Sequence, residues 1–138
     1  MRVVLDTNVL VSGLLSPFGT PARVLDLLTA GALVPLFDDR IFQEYADVLT
    51  RPRFGFGEDD VGTLLAYVRA QGELVVAPPL DVEIPDPDDL PFLEVATHGG
   101  ARALVTGNAR HFHPRRGAHA VEVWSPAELL SHHRTLPG

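Results

Sequence analysis

Short apolar runs alternate along this chain with stretches in which apolar residues recur at helical spacing. That alternation is typical of βαβ units, in which parallel strands are joined by helices that cover the sheet. Residues 3–5 and 104–105 are apolar without alternation, which indicates strands covered on both faces. We therefore predict an α/β fold, a three-layer α/β/α sandwich around a central, mostly parallel sheet of four to five strands. Strands are expected near residues 2–6, 33–37, 73–77, 103–106 and 120–124, and helices near 8–15, 20–30, 39–51, 59–72, 89–98 and 126–132.

Several of these boundaries carry local signals. Thr20 followed by proline predicts a helix N-cap with proline at the first helical position. Ser125 and Glu128 have the spacing of a capping box, and Gly31 is placed to end the second helix. The Pro-rich passage at residues 77–87 predicts an extended connection, because proline lacks a backbone donor and restricts the residue before it.

Length and composition limit the class of protein. A chain of 138 residues with no long linker predicts one domain over residues 1–138, large enough to bury a core of its own. There is no cysteine, and no apolar stretch approaches the roughly 18 residues that a membrane span needs. A core strand at the start, interrupted by polar residues, does not resemble a secretory signal. We expect a cytoplasmic protein without a membrane segment.

The charge balance argues against binding nucleic acid through a broad basic face. The formal net charge is -7, whereas counterion release from nucleic acid requires clustered cations. All eleven basic residues are arginine, and four of them follow one another closely at Arg102, Arg110, Arg115 and Arg116. A local arginine patch of this kind can still dock a phosphate backbone, although a compositional bias towards arginine explains it equally well.

An acid stands at the end of the first predicted strand. Asp6 is followed at once by Thr7 and Asn8, and ligands bind beside the carboxyl ends of parallel strands. The position therefore predicts a catalytic or metal-binding carboxylate, with a helix N-cap as the alternative. Thr106 and Asn108 follow the predicted fourth strand, so they either reach the same crevice or cap the next turn.

Further acids stand on two predicted helices. Glu44 lies at the margin of an apolar arc, where it faces either the rim of the core or solvent. Asp86, Asp88 and Asp89 open the helix at 89–98, where first-turn acids stabilise the macrodipole by about 0.3–1 kcal/mol each. If that helix lies beside the first strand, these carboxylates converge on Asp6 and need a cation. Oxygen ligands alone favour Mg²⁺ or Mn²⁺ over zinc.

Four motifs in this order resemble the PIN-domain family of metal-dependent ribonucleases, in particular its toxin-like branch of short single-domain proteins. The motifs are LDTNV at residues 5–9, FQEYADVLTRPRF at 42–54, DPDDLPFLEVA at 86–96 and LVTGN at 104–108. Each is weak alone, but the resemblance extends from residue 2 to about residue 130.

The resemblance implies an endoribonuclease that hydrolyses RNA phosphodiesters with Mg²⁺ or Mn²⁺ and leaves a 5′-phosphate and a 3′-hydroxyl. Asp6, Glu44 and Asp89 would be the catalytic, metal-holding triad, and the supporting residues would be Asn8, Thr106, Asn108 and Asp86. The resemblance further implies the toxin of a type II toxin-antitoxin pair, with a small antitoxin that covers the acidic pocket and a homodimer packed through helices. The helix around residues 61–68 is a candidate surface for the dimer, with a place in the core as the default.

Two departures from the family pattern bear on this interpretation. Many relatives carry an acid where this chain has Asn108, so one metal site is expected to be weak or empty. A non-catalytic binding module with the same fold is therefore the alternative function. Leu90 stands where relatives often have Asn or Asp, which leaves the choice of Asp89 over its acidic neighbours open.

The segment after Asn108 adds cations beside the predicted site. We expect Arg110 and the Arg115–Arg116 pair to contact RNA phosphates, although a solvated loop explains them as well. A zinc site at His111 and His113 is disfavoured, because alternate residues in an irregular loop lack the usual spacing. An aspartyl phosphotransferase is also disfavoured, because the chain has Asn8 at the position of a second acid and contains no lysine.

Overall fold

A five-stranded parallel sheet forms the centre of the protein in a computed structural model that describes residues 1–134. The strands are β1 (Arg2–Leu5), β2 (Val34–Phe37), β3 (Glu73–Leu74), β4 (Ala103–Val105) and β5 (Val123–Trp124). Their spatial order is β3-β2-β1-β4-β5, and every pairing between neighbours is parallel. The sheet is flanked by helices, so the predicted α/β/α sandwich is confirmed.

Six α-helices connect and follow the strands. They are α1 (Thr7–Leu15), α2 (Thr20–Thr29), α3 (Asp39–Leu49), α4 (Glu58–Gln71), α5 (Leu90–His98) and α6 (Pro126–Arg134). Helix α2 packs against α1 and α6, while α5 packs against β1, β2 and β4. Three short 3₁₀ turns, which the periodicity did not predict, lie at Pro52–Phe54, Pro87–Asp89 and Ala109–Phe112.

The central strands are fully buried, as their unbroken apolar sequence predicts. Val3, Val4, Leu104 and Val105 have no exposed surface. The outer strands are shorter than expected. Strand β3 ends at Leu74, since Val76 is 91% exposed and two prolines follow soon after it. The buried core therefore constrains the positions of β1 and β4 more than those of the outer strands.

The local boundary signals are confirmed at two of three places. The Ser125 Oγ accepts the Glu128 N–H, and the Glu128 carboxylate accepts the Ser125 N–H, as a capping box requires. Gly31 has a φ of 82° and ends α2 in a Schellman turn, in which the Ala32 N–H donates to the carbonyl four residues before Gly31. The predicted N-cap at Thr20 is wrong, because the carbonyl of Gly19 accepts the first helical hydrogen bonds.

The Pro-rich connection is held at several points. Ile84 is buried in the core, and Glu83 pairs with Arg116 in an isolated antiparallel bridge. In α4, Val61, Leu64 and Val68 are buried, which confirms the default expectation that this face belongs to the core. Among residues 1–134, no helix combines the length and the apolar character that crossing a membrane requires.

Tyr45 ties α3 to β1. Its ring is fully buried, and its hydroxyl donates a hydrogen bond to the carbonyl oxygen of Leu5. Since Leu5 precedes Asp6 and Tyr45 follows Glu44, this one hydrogen bond fixes the end of the strand against the middle of the helix. Burial is the main reason that the pKa of Tyr45 lies well above its usual value, so the hydroxyl remains a donor.

We expect Tyr45→Phe to lower the free energy of unfolding by about 1–3 kcal/mol, because a buried carbonyl loses its donor. Urea unfolding of the two proteins measures the difference. Tyr67→Phe is the matched control, since Tyr67 is only partly buried and its hydroxyl forms no hydrogen bond within residues 1–134. Equal losses for both variants would contradict the role assigned to Tyr45.

Candidate functional site

Asp6 and Thr106 meet where β1 and β4 end side by side. Leu5 and Val105 are partners in the parallel register, and the Asp6 N–H donates to the Val105 carbonyl at 2.9 Å. The Thr106 Oγ1 donates to the Asp6 carboxylate at 2.8 Å. Burial raises the pKa of Asp6, and the Thr106 hydrogen bond opposes that effect by stabilising the ionised form.

The turn after β4 is held to the start of α1 by amide contacts. The Asn8 side-chain oxygen accepts the Gly107 N–H at 3.1 Å. The Thr106 hydroxyl also accepts the Asn108 N–H at 3.0 Å. The Thr106 hydroxyl thus accepts one hydrogen bond from the Asn108 N–H and donates another to the Asp6 carboxylate. Thr106 contacts the Asp6 carboxylate directly, whereas the side chain of Asn8 contacts the turn that carries Thr106. Their supporting role stays a prediction.

Glu44 is brought to the same edge by α3. The Thr7 hydroxyl, which follows Asp6 in the chain, donates a hydrogen bond to the Glu44 carboxylate. Burial raises the pKa of Glu44, and the negative charges of Asp6 and Asp88 raise it further. Arg51 acts in the opposite direction and lowers it. Thr7 was not among the predicted site residues, although its place directly after the strand-end acid was a usable signal.

The three acids before α5 have different roles. Asp86 accepts the Asp88 N–H at 2.9 Å and so caps the 3₁₀ turn at Pro87–Asp89, while Asp88 is exposed. Asp89 turns inward, and its Oδ2 is buried without a hydrogen-bond partner. Burial and the charges of Asp6 and Asp86 raise the pKa of Asp89 to about 6. The inward carboxylate is therefore the one that needs a compensating cation.

His111 is a further polar group at this cluster. Its Nδ1 lies 3.6 Å from Asp89 Oδ2, which is too long for a hydrogen bond, and its Nε2 lies 3.0 Å from the Asn108 amide nitrogen. The amide nitrogen can only donate, so a neutral His111 ring carries its proton on Nδ1, facing Asp89. The side chain of Asn108 therefore orients His111 and does not contact the carboxylates directly.

The carboxylates of Asp6, Glu44 and Asp89 lie near one another, since the charge of Asp6 raises the pKa of both Glu44 and Asp89 and the charge of Glu44 raises that of Asp89. Among the described residues, no three His, Cys, Asp or Glu side chains are arranged as a ready metal site. The donor set nevertheless fits Mg²⁺ or Mn²⁺, because all three are oxygen ligands and one has a buried oxygen with no hydrogen-bond partner in the described part of the chain. Mg²⁺ also keeps several waters and takes few protein ligands directly.

Glu94 is a buried acid that the sequence analysis did not single out. Its carboxylate accepts hydrogen bonds from the Arg40 guanidinium at 2.8 Å and the Leu80 N–H at 3.0 Å. Arg40 also pairs with Asp38, which caps the start of α3. This network joins α3, α5 and the Pro-rich connection, so it positions Glu44 relative to Asp89. Its signal was an acid within the otherwise apolar run of α5.

The predicted RNA-contacting arginines lie at the exposed surface. Arg110 is exposed in the 3₁₀ turn at Ala109–Phe112, one residue before His111. Arg115 and Arg116 are exposed in the following loop, where their backbone pairs with Glu83. Their contact with RNA stays a prediction.

A cleft of about 450 Å³ opens beside the cluster, and its lining includes Arg40, Glu44, Asp88 and Glu94. A larger cavity of about 560 Å³ lies between α1, α2 and α4 and contains none of the three clustered carboxylates. The smaller cleft is the one that adjoins the site, because Glu44 of the clustered carboxylates is part of its lining.

Comparison with known proteins agrees with this arrangement. The PIN domain family model matches residues 2–110, which includes β1, α3, α5 and β4. This protein belongs to the PIN-domain family. An uncharacterized protein of the archaeon Methanocaldococcus jannaschii is 27% identical over 111 residues, which cover 78% of this chain and 71% of that protein.

The PIN-domain match has a general functional consequence. PIN domains are a nuclease family, and they generally use divalent metal ions. The strand-end acid, the acid of α3 and the acids before α5 all fall within the matched residues. The carboxylate cluster described above is therefore the part of this PIN domain where phosphodiester chemistry is expected.

The raised pKa of Asp89 predicts how the stability of the metal-free protein depends on pH. The folded carboxyl has a pKa of about 6, whereas the unfolded value is about 4, so the folded state binds its proton more tightly. The free energy of unfolding therefore falls as the pH rises through this window. We expect Asp89→Asn to reduce that fall by on the order of 1 kcal/mol, allowing for solvent screening.

Urea unfolding in chelator between pH 4 and pH 8 measures this dependence. Asp39→Asn is the control, since Asp39 is an exposed acid in the first turn of α3. Adding Mn²⁺ at pH 8 should raise the Tm of the wild type more than that of Asp89→Asn. Identical pH curves for Asp89→Asn and the wild type would contradict the environment described for Asp89.

Proposed function

We propose that this protein is an endoribonuclease that hydrolyses RNA phosphodiesters with Mg²⁺ or Mn²⁺. The observation that carries the proposal is the buried Oδ2 of Asp89, which has no hydrogen-bond partner among the described residues, in a cluster with Asp6 and Glu44. Three carboxylates with raised pKa values at the carboxyl edge of a parallel sheet fit a cation-dependent active site. Family membership supports nuclease chemistry in general, and the RNA substrate and the choice of ion are proposed.

The proposed division of work follows from the contacts of each residue. Asp6, Glu44 and Asp89 hold the cation, which when bound supplies a polarised phosphoryl oxygen and a water of lowered pKa. Thr106 favours the ionised form of Asp6 by donating to its carboxylate at 2.8 Å. Thr7 does the same for Glu44. Both hydroxyls are positioning groups, because each reaches the reaction only through a carboxylate.

His111 and Asn108 form a polar wall beside Asp89. The ring of His111 contacts both residues, at 3.6 Å from the Asp89 carboxylate and 3.0 Å from the Asn108 amide. Asn108, which stands where many relatives carry an acid, thus contacts the ring of His111 through its side-chain amide. That arrangement keeps a polar group at the cluster without adding a fourth negative charge.

A catalytically inactive binding module is the second candidate. It is favoured by Asn108, because the missing acid removes one charged ligand from the site. Such a protein would retain the sheet and the cleft and would bind RNA without cutting it. The cleavage experiment below distinguishes the two functions.

The finer proposal is that the enzyme acts as a toxin and is restrained by a small antitoxin protein. An inhibitor that inserts an arginine would satisfy the clustered carboxylates of Asp6, Glu44 and Asp89, whose pKa values are raised. A homodimer packed through helices belongs to the same proposal.

Expression in a bacterial host tests the toxin role. We expect the wild type to slow growth and Asp6→Asn to relieve that effect at equal protein level. Growth unaffected by folded, cleavage-competent wild-type protein would separate the nuclease from the toxin role.

We expect purified protein to cleave a mixed pool of single-stranded RNA with Mn²⁺ or Mg²⁺ and to lose this activity in chelator. Asp6→Asn, Glu44→Gln and Asp89→Asn should each reduce the rate by about 100-fold or more, because each removes a ligand charge. Thr106→Val should reduce it by about 10- to 100-fold, since the carboxylate loses its orienting donor. Gel analysis of end-labelled RNA measures these rates.

Asp39→Asn serves as the control that should retain the wild-type rate. Asp88→Asn tests the choice among the acids before α5, and a loss at Asp88 greater than that at Asp89 would overturn that choice. Folded wild-type protein that binds RNA but does not cut it with either ion would favour the binding module. Cleavage that persists in Asp6→Asn would indicate a contaminating nuclease and remove the support for this site.

A further inference from the structure

The segment directly after α3 forms an ordered turn that the proposed chemistry does not use. We call residues 51–56, with the sequence RPRFGF, the RPRF turn. The Phe54 N–H donates to the Arg51 carbonyl, and the Gly55 N–H donates to the Pro52 carbonyl, both at 3.1 Å. Gly55 has a φ of 64°, a conformation that favours glycine. The turn is thus a defined structure attached to the helix that carries Glu44.

Two aromatic rings and a guanidinium are stacked in this turn. The rings of Phe54 and Phe56 are 5.4 Å apart and nearly parallel, at 10°. The guanidinium of Arg53 lies over the Phe54 ring, 4.8 Å from its centroid. Both rings are partly exposed, and Phe56 also packs against the core. The stack is therefore anchored to the core through Phe56 and partly open to solvent.

The arginines of the turn have no carboxylate partner within the described part of the chain. Other arginines of this acidic protein do form ion pairs, with Glu73, Asp26, Glu94 and Glu122 as the partners. Arg51 is exposed and close enough to lower the pKa of Glu44, yet it forms no ion pair with that carboxylate. A cation placed beside the cluster and left unpaired is free to bind an anion from solution.

We propose that the RPRF turn binds the RNA strand beside the carboxylate cluster, with Arg51 on a backbone phosphate and the Arg53–Phe54–Phe56 stack against an unpaired base. This inference rests on the proposed function, because it names where that enzyme holds its substrate. The base must be unpaired, since the bases of a duplex are stacked on each other and cannot reach an aromatic platform.

Physical considerations favour this combination over electrostatics alone. With a net charge of -7, the protein gains little from a general attraction to phosphate. Base stacking on aromatic rings and guanidinium planes does not depend on net charge and tolerates every base. A single phosphate contact at Arg51 then sets the position of the strand relative to Glu44, which lies two helical turns earlier.

The test measures binding of a fluorescein-labelled, mixed-sequence 12-nucleotide RNA by anisotropy, in chelator and at low salt, so that no strand is cut. Arg51→Gln should weaken binding several-fold and reduce the slope of log K against log salt by about 0.7, the value for one single-strand phosphate. Phe56→Leu keeps apolar packing but removes the ring, and should weaken binding about 5- to 100-fold. Phe56→Tyr should restore it.

Arg23→Gln is the matched control, because Arg23 is an exposed arginine on α2 whose partner is Asp26. It should bind RNA as the wild type does, and the same RNA in a duplex should bind more weakly than the single strand. If Phe56→Leu fails to fold, Arg53→Gln tests the stack from its exposed side. Wild-type binding by both Arg51→Gln and Arg53→Gln would overturn the inference, as would a wild type that binds no single-stranded RNA or binds the duplex equally well.

The cleavage assay distinguishes a failure of this inference from a failure of the proposed nuclease function. Binding that depends on the turn in a protein that cuts nothing would support the inference and remove the nuclease. Metal-dependent cleavage with unchanged binding and KM in the turn variants would support the nuclease and overturn the inference. If both hold, Arg51→Gln should raise KM with little change in kcat, because it acts on substrate binding.

Discussion

The parallel pairing of β1 with β4 is the constraint on which the site depends. Leu5 and Val105 are register partners, so the next residues, Asp6 and Thr106, leave the sheet side by side and form a hydrogen bond. A shift of one residue would turn both side chains away, because neighbouring side chains in a strand point to opposite faces. The fully buried apolar residues of both strands make such a shift costly. The geometry of the hydrogen-bonded pair of Asp6 and Thr106 is thus set by the core.

Two further contacts bring the remaining acids to that edge. The buried Tyr45 hydroxyl bonds the Leu5 carbonyl and so places Glu44 near Asp6. Glu94, buried in α5, is held by Arg40 at the start of α3 and by the Pro-rich connection. Because the two helices are joined by this charged network, Asp89 and Glu44 approach from different elements without a direct bond. These polar contacts therefore offset part of the electrostatic free energy that opposes bringing the like charges together.

The sequence predicted the fold well and the site only in part. Unbroken apolar runs located β1 and β4, and the strand-end rule located Asp6 and Thr106, because both are consequences of burial and chain direction. Local pattern was insufficient for Glu44, whose position at the margin of an apolar arc fits solvent as well as a site. His111 and Thr7 were not predicted as partners of Asp89 and Glu44, since contacts across 22 and 37 residues leave no periodic signal. The shortened β3 likewise followed from tertiary exposure of Val76 and not from its strand propensity.

The distribution of charge explains how an acidic chain is suited to an anionic substrate. The clustered carboxylates disfavour a nearby phosphate and a bound cation would offset part of that charge, so binding of metal is expected to strengthen a binding of RNA that local contacts already provide. Arginines that form ion pairs with neighbouring acids contribute little attraction to RNA. Two of the exposed arginines without such a pair in the described part of the chain follow elements that carry site residues, Arg51 after α3 and Arg110 after β4. The affinity of a strand held by them would come from a few local contacts, which makes positioning more important than net charge.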